Sequence, residues 1–335
     1  MRTDRLDYDL PEGLIAQSPA EPRDAARLMV YERGIGATRH RRFRDLLDEL
    51  REDDVVVLNT TRVLPVRIHA TRPTGGAAEV LLLEPRGDGS WDALARPLRK
   101  LVPGTRLTAG AGLEIEVAER LDGGRVRVVP HAPGTLEEAL AAAGEMPLPP
   151  YIHARPDDPE RYQTVYARLA GSAAAPTAGL HFTPELLAAM RNRCAVVEVD
   201  LRIGLDTFRP VAEDDLDAHA MHSEAYAIDA DVRALVTGAR AAGRRVVAVG
   251  TTAARVLETI ADPHAPDAGR TRLKIQPPYA FRVVDALVTN FHLPRSTLLA
   301  LVMAFAGEDE IRSLYELAVR EGYRFYSFGD AMLLA

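Results

Sequence analysis

The chain has 335 residues, 47% hydrophobic and 27% charged, the composition of an ordinary globular protein with core material for two domains. Its net charge of −7 means that the surface as a whole does not attract a polyanion, so an RNA partner has to meet a local basic patch. The longest apolar run, 298–306, is about half a membrane span, the N-terminus lacks an apolar signal core, and one cysteine, Cys194, excludes a disulfide framework. A cytoplasmic location without membrane association is expected.

In chain order, Arg27 to Tyr31 reads as a strand, and 43–50 has helical spacing with Phe43, Leu46, Leu47 and Leu50 on one face. Val55 to Leu58 is the continuous apolar run of a strand buried on both sides. From about Thr61 the texture changes. Short β-type runs at 63–70, 79–83, 91–95, 113–117 and 125–129 are separated by Gly- and Pro-rich turns, which predicts a small antiparallel barrel or sandwich. After Pro150 strands and helices alternate again. Thr183-Pro184 opens a helix to about Arg193, and 195–203 follows as a strand. A helix over 229–242, a strand over 245–249, a helix over 253–260, a strand over 285–289 and helices over 296–306 and 309–320 complete the pattern. The expected fold is α/β: a sheet domain covered by helices, residues 1–62 and 151–335, interrupted by an inserted antiparallel β-barrel domain at 63–150.

Ligands of open α/β sheets gather at the carboxyl ends of strands, and four loops qualify. Gly250-Thr251-Thr252 precedes a helix and leaves N–H groups for an anion, with Arg255 as a clamp; plain N-capping explains the threonines equally well. Asn290, Phe291 and His292 supply an amide, a ring and an imidazole, although a lone histidine is more often structural. The turn-rich 175–182 loop, with Thr177, His181 and Phe182, permits close backbone approach to a ligand. His222 and Glu224, two apart in an extended segment, share a face as a base and its orienting carboxylate. No metal is expected, because His219, His222 and His292 fit no zinc spacing and no cysteine helps. These loops alone indicate an α/β enzyme with a small-molecule site and leave the reaction open.

The segments 146–152 (MPLPPYI), 162–166 (YQTVY), 175–182 (APTAGLHF), 221–224 (MHSE), 248–252 (AVGTT), 285–294 (DALVTNFHLP) and 328–332 (FGDAM) together resemble the S-adenosylmethionine:tRNA ribosyltransferase-isomerases, in the family's order and across most of the chain. That family's architecture is an α/β domain interrupted by a β-barrel. The sequence departs from it at Arg202 and Asp206, where the family has histidine and glycine, and also at Thr60, Glu145 and Pro278. A divergent paralogue using S-adenosylmethionine with a non-tRNA amine acceptor is therefore a second reading, and Asp206 a candidate partner for a cationic amine or for Arg202.

The resemblance implies transfer and isomerisation of the ribosyl unit of S-adenosylmethionine onto the aminomethyl-7-deazaguanine at the tRNA wobble position. Epoxyqueuosine forms, and adenine and methionine leave. S-adenosylmethionine is then a cosubstrate and no cofactor is expected; a monomer is expected. The sulfonium acidifies neighbouring hydrogens, the acceptor amine has to lose a proton and adenine needs one, all of which suits histidine. His222 with Glu224 is assigned proton transfer, and His181 and His292 cosubstrate contact or leaving-group protonation. Thr251, Thr252 and Arg255 would hold the methionine carboxylate or ribose hydroxyls, with Thr177 beside them. Asn290 would hold a polar group, and Phe182 or Phe291 would stack on adenine or face the sulfonium. Arg39, Arg41, Arg42, Arg62, Arg67, Arg96, Arg99 and Lys100 are the basic candidates for tRNA.

Overall fold

The structure, a computed structural model, describes residues 1–154, 158–204 and 210–335. They divide into two compact units, Met1–Thr61 with Pro150–Leu169 and Ala175–Ala335, and Arg62–Pro149 with Ala170–Ala174. No helix among the described residues is long and apolar enough to cross a membrane.

The first unit is built on a nine-stranded mixed sheet. Its strands are β1 (Arg27–Glu32), β2 (Ala37–Arg42), β3 (Val55–Asn59), β4 (Ala195–Leu201), β5 (Glu224–Ile228), β6 (Val246–Val249), β7 (Ala268–Thr271), β8 (Ala286–Asn290) and β9 (Ala331–Leu334). They lie in the order β7-β5-β4-β3-β6-β8-β9-β1-β2. The neighbours β4, β3, β6 and β8 are parallel, so their carboxyl ends share one edge. Every residue of β3, β6 and β8 is buried. That burial is why their sequences are apolar runs rather than alternating patterns.

Five helices matter for the site: α1 (Pro184–Arg193), α2 (Ala230–Ala241), α3 (Gly250–Ile260), α4 (Thr297–Ala306) and α5 (Glu308–Arg320). Thr183 caps α1, its hydroxyl accepting from Leu186 N–H at 3.2 Å, and Ser296 caps α4 through Leu299 N–H at 3.1 Å. One face of the sheet buries Val56, Leu58, Val247, Val249 and Val288 against Leu187 and Met190 of α1.

In the second unit six antiparallel strands close on themselves: Arg67–Thr71, Ala77–Pro85, Trp91–Arg96, Arg125–His131, Glu114–Arg120 and Arg106–Ala109, the last pairing back to the first. Ile68, Val80, Leu82, Ile115, Val126 and Val128 fill the interior. The α/β sheet and the antiparallel barrel are the fold class read from the sequence.

Two local readings are corrected, and one strand is added. The segment 63–70 is not one strand: Thr61–Val63 and Arg67–Thr71 flank Pro65, which has no N–H for a ladder. The 43–50 stretch is a 3-10 turn, Phe43–Asp45, followed by a single helical turn, Leu46–Glu49. β2, whose ATRHRR sequence lacks apolar alternation, is a strand through its pairing with β1.

Candidate functional site at the carboxyl edge of the parallel strands

β6 ends at Val249 and α3 starts at Gly250 with φ +89°, a left-handed conformation that favours glycine. The strand thus enters the helix with no intervening loop, and Thr251 and Thr252 lie in the first helical turn instead of ahead of it. The N-cap residue, Val249, makes no side-chain cap, and among the described residues no side chain accepts from the first N–H groups of this helix. The N-capping explanation for the two threonines is excluded.

Two small cavities flank this turn and share Thr251, Thr252 and Leu298. The first, about 50 Å3, is lined by His219, His222, Glu224, Thr251, Thr252 and Arg255, among others. The second, about 40 Å3, is lined by Thr177, Gly250, Thr289, Asn290 and His292, among others. Each is large enough to admit a few polar atoms, not a whole nucleoside. A larger cavity of about 430 Å3, lined by Thr60, Arg168, Glu198, Asp200 and Asp229 among others, contains none of the candidate catalytic or cosubstrate-binding residues. Burial raises the Asp200 carboxyl above the usual carboxylate range there.

Arg255 and Glu224 form a buried ion pair. The other Glu224 oxygen accepts from Gly204 N–H at 3.2 Å, and Arg255 Nε donates to Leu273 O at 3.2 Å. The carboxylate expected to orient His222 is thus the counter-ion of Arg255. Removing one partner of such a pair costs about 3–5 kcal/mol. Two polar atoms here are buried without a hydrogen-bond partner among the described residues: Arg255 Nη2 and Thr252 Oγ1. They belong to residues three apart on α3, which share a helix face, and both residues line the first cavity. His222 is exposed at the same cavity.

Asn290, at the end of β8, is 2% exposed. Its Oδ1 accepts from the Thr177 hydroxyl at 2.9 Å, and its Nδ2 donates to His181 Nε2 at 3.2 Å and to Tyr326 O at 3.2 Å. His181 Nε2 is therefore an acceptor, which assigns its proton to Nδ1. Burial, helped by the charges of Arg324 and Arg23, pushes the His181 pKa down to about 3. Burial alone pushes His292 down to about 3. Its Nε2 lies 2.7 Å from the Thr289 hydroxyl, and its backbone is held by Tyr315 Oη, 2.9 Å from the N–H, and by the Tyr8 hydroxyl, which donates to its carbonyl at 2.5 Å. Both imidazoles are neutral at neutral pH, so neither supplies a proton as an imidazolium.

The two aromatic rings expected to stack on the nucleoside are core residues. Phe182 packs edge-on against Phe43 at 5.0 Å, and Phe291 lies among Tyr315, Tyr323 and Phe325 at 5.0–5.5 Å; both are 0% exposed. Neither lines either small cavity. Asp206 lies outside the described residues.

Three organising residues were not among the site candidates read from the sequence. Asn59 pairs through its side-chain amide with both N–H and C=O of Leu201, at 3.1 Å each, tying the ends of β3 and β4. The Arg23 guanidinium donates to the carbonyls of Gln163 (2.6 Å), Glu160 (2.8 Å) and Leu180 (3.4 Å), joining two of the motif segments. Glu258 accepts from the N–H groups of Arg282, Val283 and Val284 at 2.9–3.0 Å. An isolated charged or amide side chain has no periodicity to betray it; buried position alone reveals these roles.

A family model described as "Queuosine biosynthesis protein" matches residues 3–334. An S-adenosylmethionine:tRNA ribosyltransferase-isomerase of Rubrobacter xylanophilus is 54% identical over 336 residues, covering 100% of this chain and 98% of that protein. The protein of the same name from Symbiobacterium thermophilum is 52% identical, with 100% of both chains covered. Among solved structures, an S-adenosylmethionine tRNA ribosyltransferase from Thermotoga maritima is 37% identical with a TM-score of 0.58, covering 99% of this chain and 100% of that one. With nearly every residue matched and half of them identical to such relatives, the chain belongs to the queuosine biosynthesis protein family.

Proposed function

We propose that this chain transfers and isomerises the ribosyl moiety of S-adenosylmethionine onto the aminomethyl-7-deazaguanine of tRNA. The product is epoxyqueuosine, with adenine and methionine released. The names carried by the full-length relatives support the reaction. The observation that carries the site is the pair of unsatisfied buried atoms, Arg255 Nη2 and Thr252 Oγ1, beside an uncapped helix N-terminus. An orphaned buried polar group costs about 1–3 kcal/mol, and a ligand carboxylate satisfies both atoms and the free N–H groups together.

In this reading the first turn of α3 with Arg255 holds the methionine carboxylate. Glu224 holds the guanidinium in place through the ion pair while leaving Nη2 for the ligand. His222, open to the cavity, moves the proton. His292 and Thr177 line the neighbouring subsite, where a neutral imidazole acts as a hydrogen-bonding partner to the nucleoside. His181 acts through Asn290, bracing the amide and with it the 175–182 loop.

Incubation of the protein with S-adenosylmethionine and precursor tRNA is expected to add the ribosyl mass to the tRNA, with adenine and methionine released in equal amounts, read by mass spectrometry. Cosubstrate consumption without a tRNA mass change overturns the acceptor. Thr252→Val is expected to raise KM for S-adenosylmethionine about tenfold, the loss of one charge-assisted hydrogen bond, with kcat little changed. An unchanged KM removes the carboxylate assignment. His222→Ala is expected to abolish turnover in a normally folded protein.

A further inference from the structure

The geometry points to the 96–100 segment of the barrel as the surface that docks the RNA phosphate backbone, an inference that rests on the tRNA reading above. The basic candidates of the sequence separate once their partners are known. Arg42, outside the barrel, donates to the neutral carbonyl of Ala25 at 3.0 Å and keeps its charge, whereas Arg39 is held by Glu32 and Glu49 and Arg67 is bound to Glu79 at 2.7 Å. Other barrel arginines are committed in the same way: Arg106 to Glu116 and Arg127 to Glu119, each at 3.2 Å, and Arg86 to Asp92. Such pairs neutralise the cation locally and leave little charge for a polyanion.

Arg96, Arg99 and Lys100 differ. All three are exposed, and among the described residues none has a carboxylate partner. They lie within five positions, at the end of one barrel strand and on the 3-10 turn Leu98–Lys100. That turn is braced from below: Arg120 donates to the carbonyls of Leu98 (2.8 Å), Leu101 (3.1 Å) and Arg99 (3.2 Å). The guanidinium of Arg120 thus holds the turn's backbone, and the three outer cations project from a fixed base. An ordered turn with two such charges, and a third at the end of the preceding strand, loses less conformational entropy on binding than a flexible basic tail does. It also explains how a chain of net charge −7 meets a polyanion, through a local basic surface.

The test is equilibrium binding of unmodified tRNA to the full-length protein across a series of salt concentrations. The Arg99→Gln, Lys100→Gln double variant is expected to bind about tenfold more weakly and to lower the slope of log K against log salt by about 0.9 for each phosphate no longer neutralised. Its kcat for the ribosyl transfer stays near wild type while KM for tRNA rises. Arg106→Gln, which removes a paired cation from the same barrel, is the control, and is expected to leave the slope unchanged. The thermal melt of each variant confirms folding, and the single Lys100→Gln variant, expected to show half of the slope change, gives a milder second reading. A wild type that binds tRNA, with a double variant of equal affinity and slope, overturns this surface and leaves the function standing. A wild type that does not bind tRNA overturns the functional reading and this surface with it.

Discussion

His181 and His292 show how burial decides what a residue type can do. Both pKa values fall from the ordinary 6.5 to about 3, because taking an imidazolium out of water is unfavourable. In the unfolded chain both bind a proton near 6.5, so between that value and about 3 the unfolded state carries more protons. Stability is therefore complete above about pH 6.5 and is lost as pH falls toward 3, by up to about 1.4 kcal/mol per pH unit for each histidine. Urea unfolding at pH 7, 6 and 5 is expected to show this slope, and His292→Gln is expected to flatten it by about half. A stability that stays constant over that interval contradicts neutral burial. His222, unlike these two, is exposed and lines the first cavity.

At the scale of elements, the recurring sequence strings turn out to be packing partners. A Cβ on Gly179 would meet Tyr166 Oη at 2.0 Å and Thr164 Cγ2 at 2.8 Å, so the 175–182 loop and the 162–166 segment require each other. Gly179→Ala is expected to destabilise the fold by about 1–3 kcal/mol, the cost of overpacking, and Tyr166→Phe in the same chain is expected to restore part of it, since the phenol hydroxyl is the nearest obstacle. Denaturant titration of the two single variants and the double variant measures the coupling; strict additivity contradicts the close approach. The 328–332 string is structural in the same sense. Asp330 accepts from the N–H groups of Arg27 and Arg324 at 2.8 Å each, and a Cβ on Gly329 would meet Arg324 O at 2.5 Å. The motifs thus divide into those that line the cavities, 175–182, 221–224, 248–252 and 285–294, and those, such as 162–166 and 328–332, that pack behind them.

At the scale of the whole molecule, closure of the barrel strands removes free sheet edges, and the barrel has an apolar core of its own. A fragment spanning 62–149 is therefore expected to fold alone, with a β-type circular dichroism spectrum and a cooperative thermal transition. A broad, non-cooperative melt shows that its core is insufficient. In the other unit four parallel strands bring Leu201, Asn59, Val249 and Asn290 to a common edge, and β5, antiparallel to β4, starts there with Glu224. Residues more than two hundred positions apart in the chain meet because strand order, not sequence order, sets the neighbours.

The apolar runs of β3, β6 and β8, the cap of α1 and the turn-spaced barrel strands were legible in the chain itself, since local periodicity and capping chemistry express them directly. The candidate loops were legible too, because strand-to-helix junctions at a parallel edge are a property of the pattern. Tertiary structure alone decided which residue serves which. It paired Glu224 with Arg255, turned Phe182 and Phe291 into the core, started α3 at Gly250 and left Thr252 Oγ1 and Arg255 Nη2 unsatisfied. Pairing, burial and vacancy depend on groups remote in sequence, and no local pattern encodes a neighbour's distance.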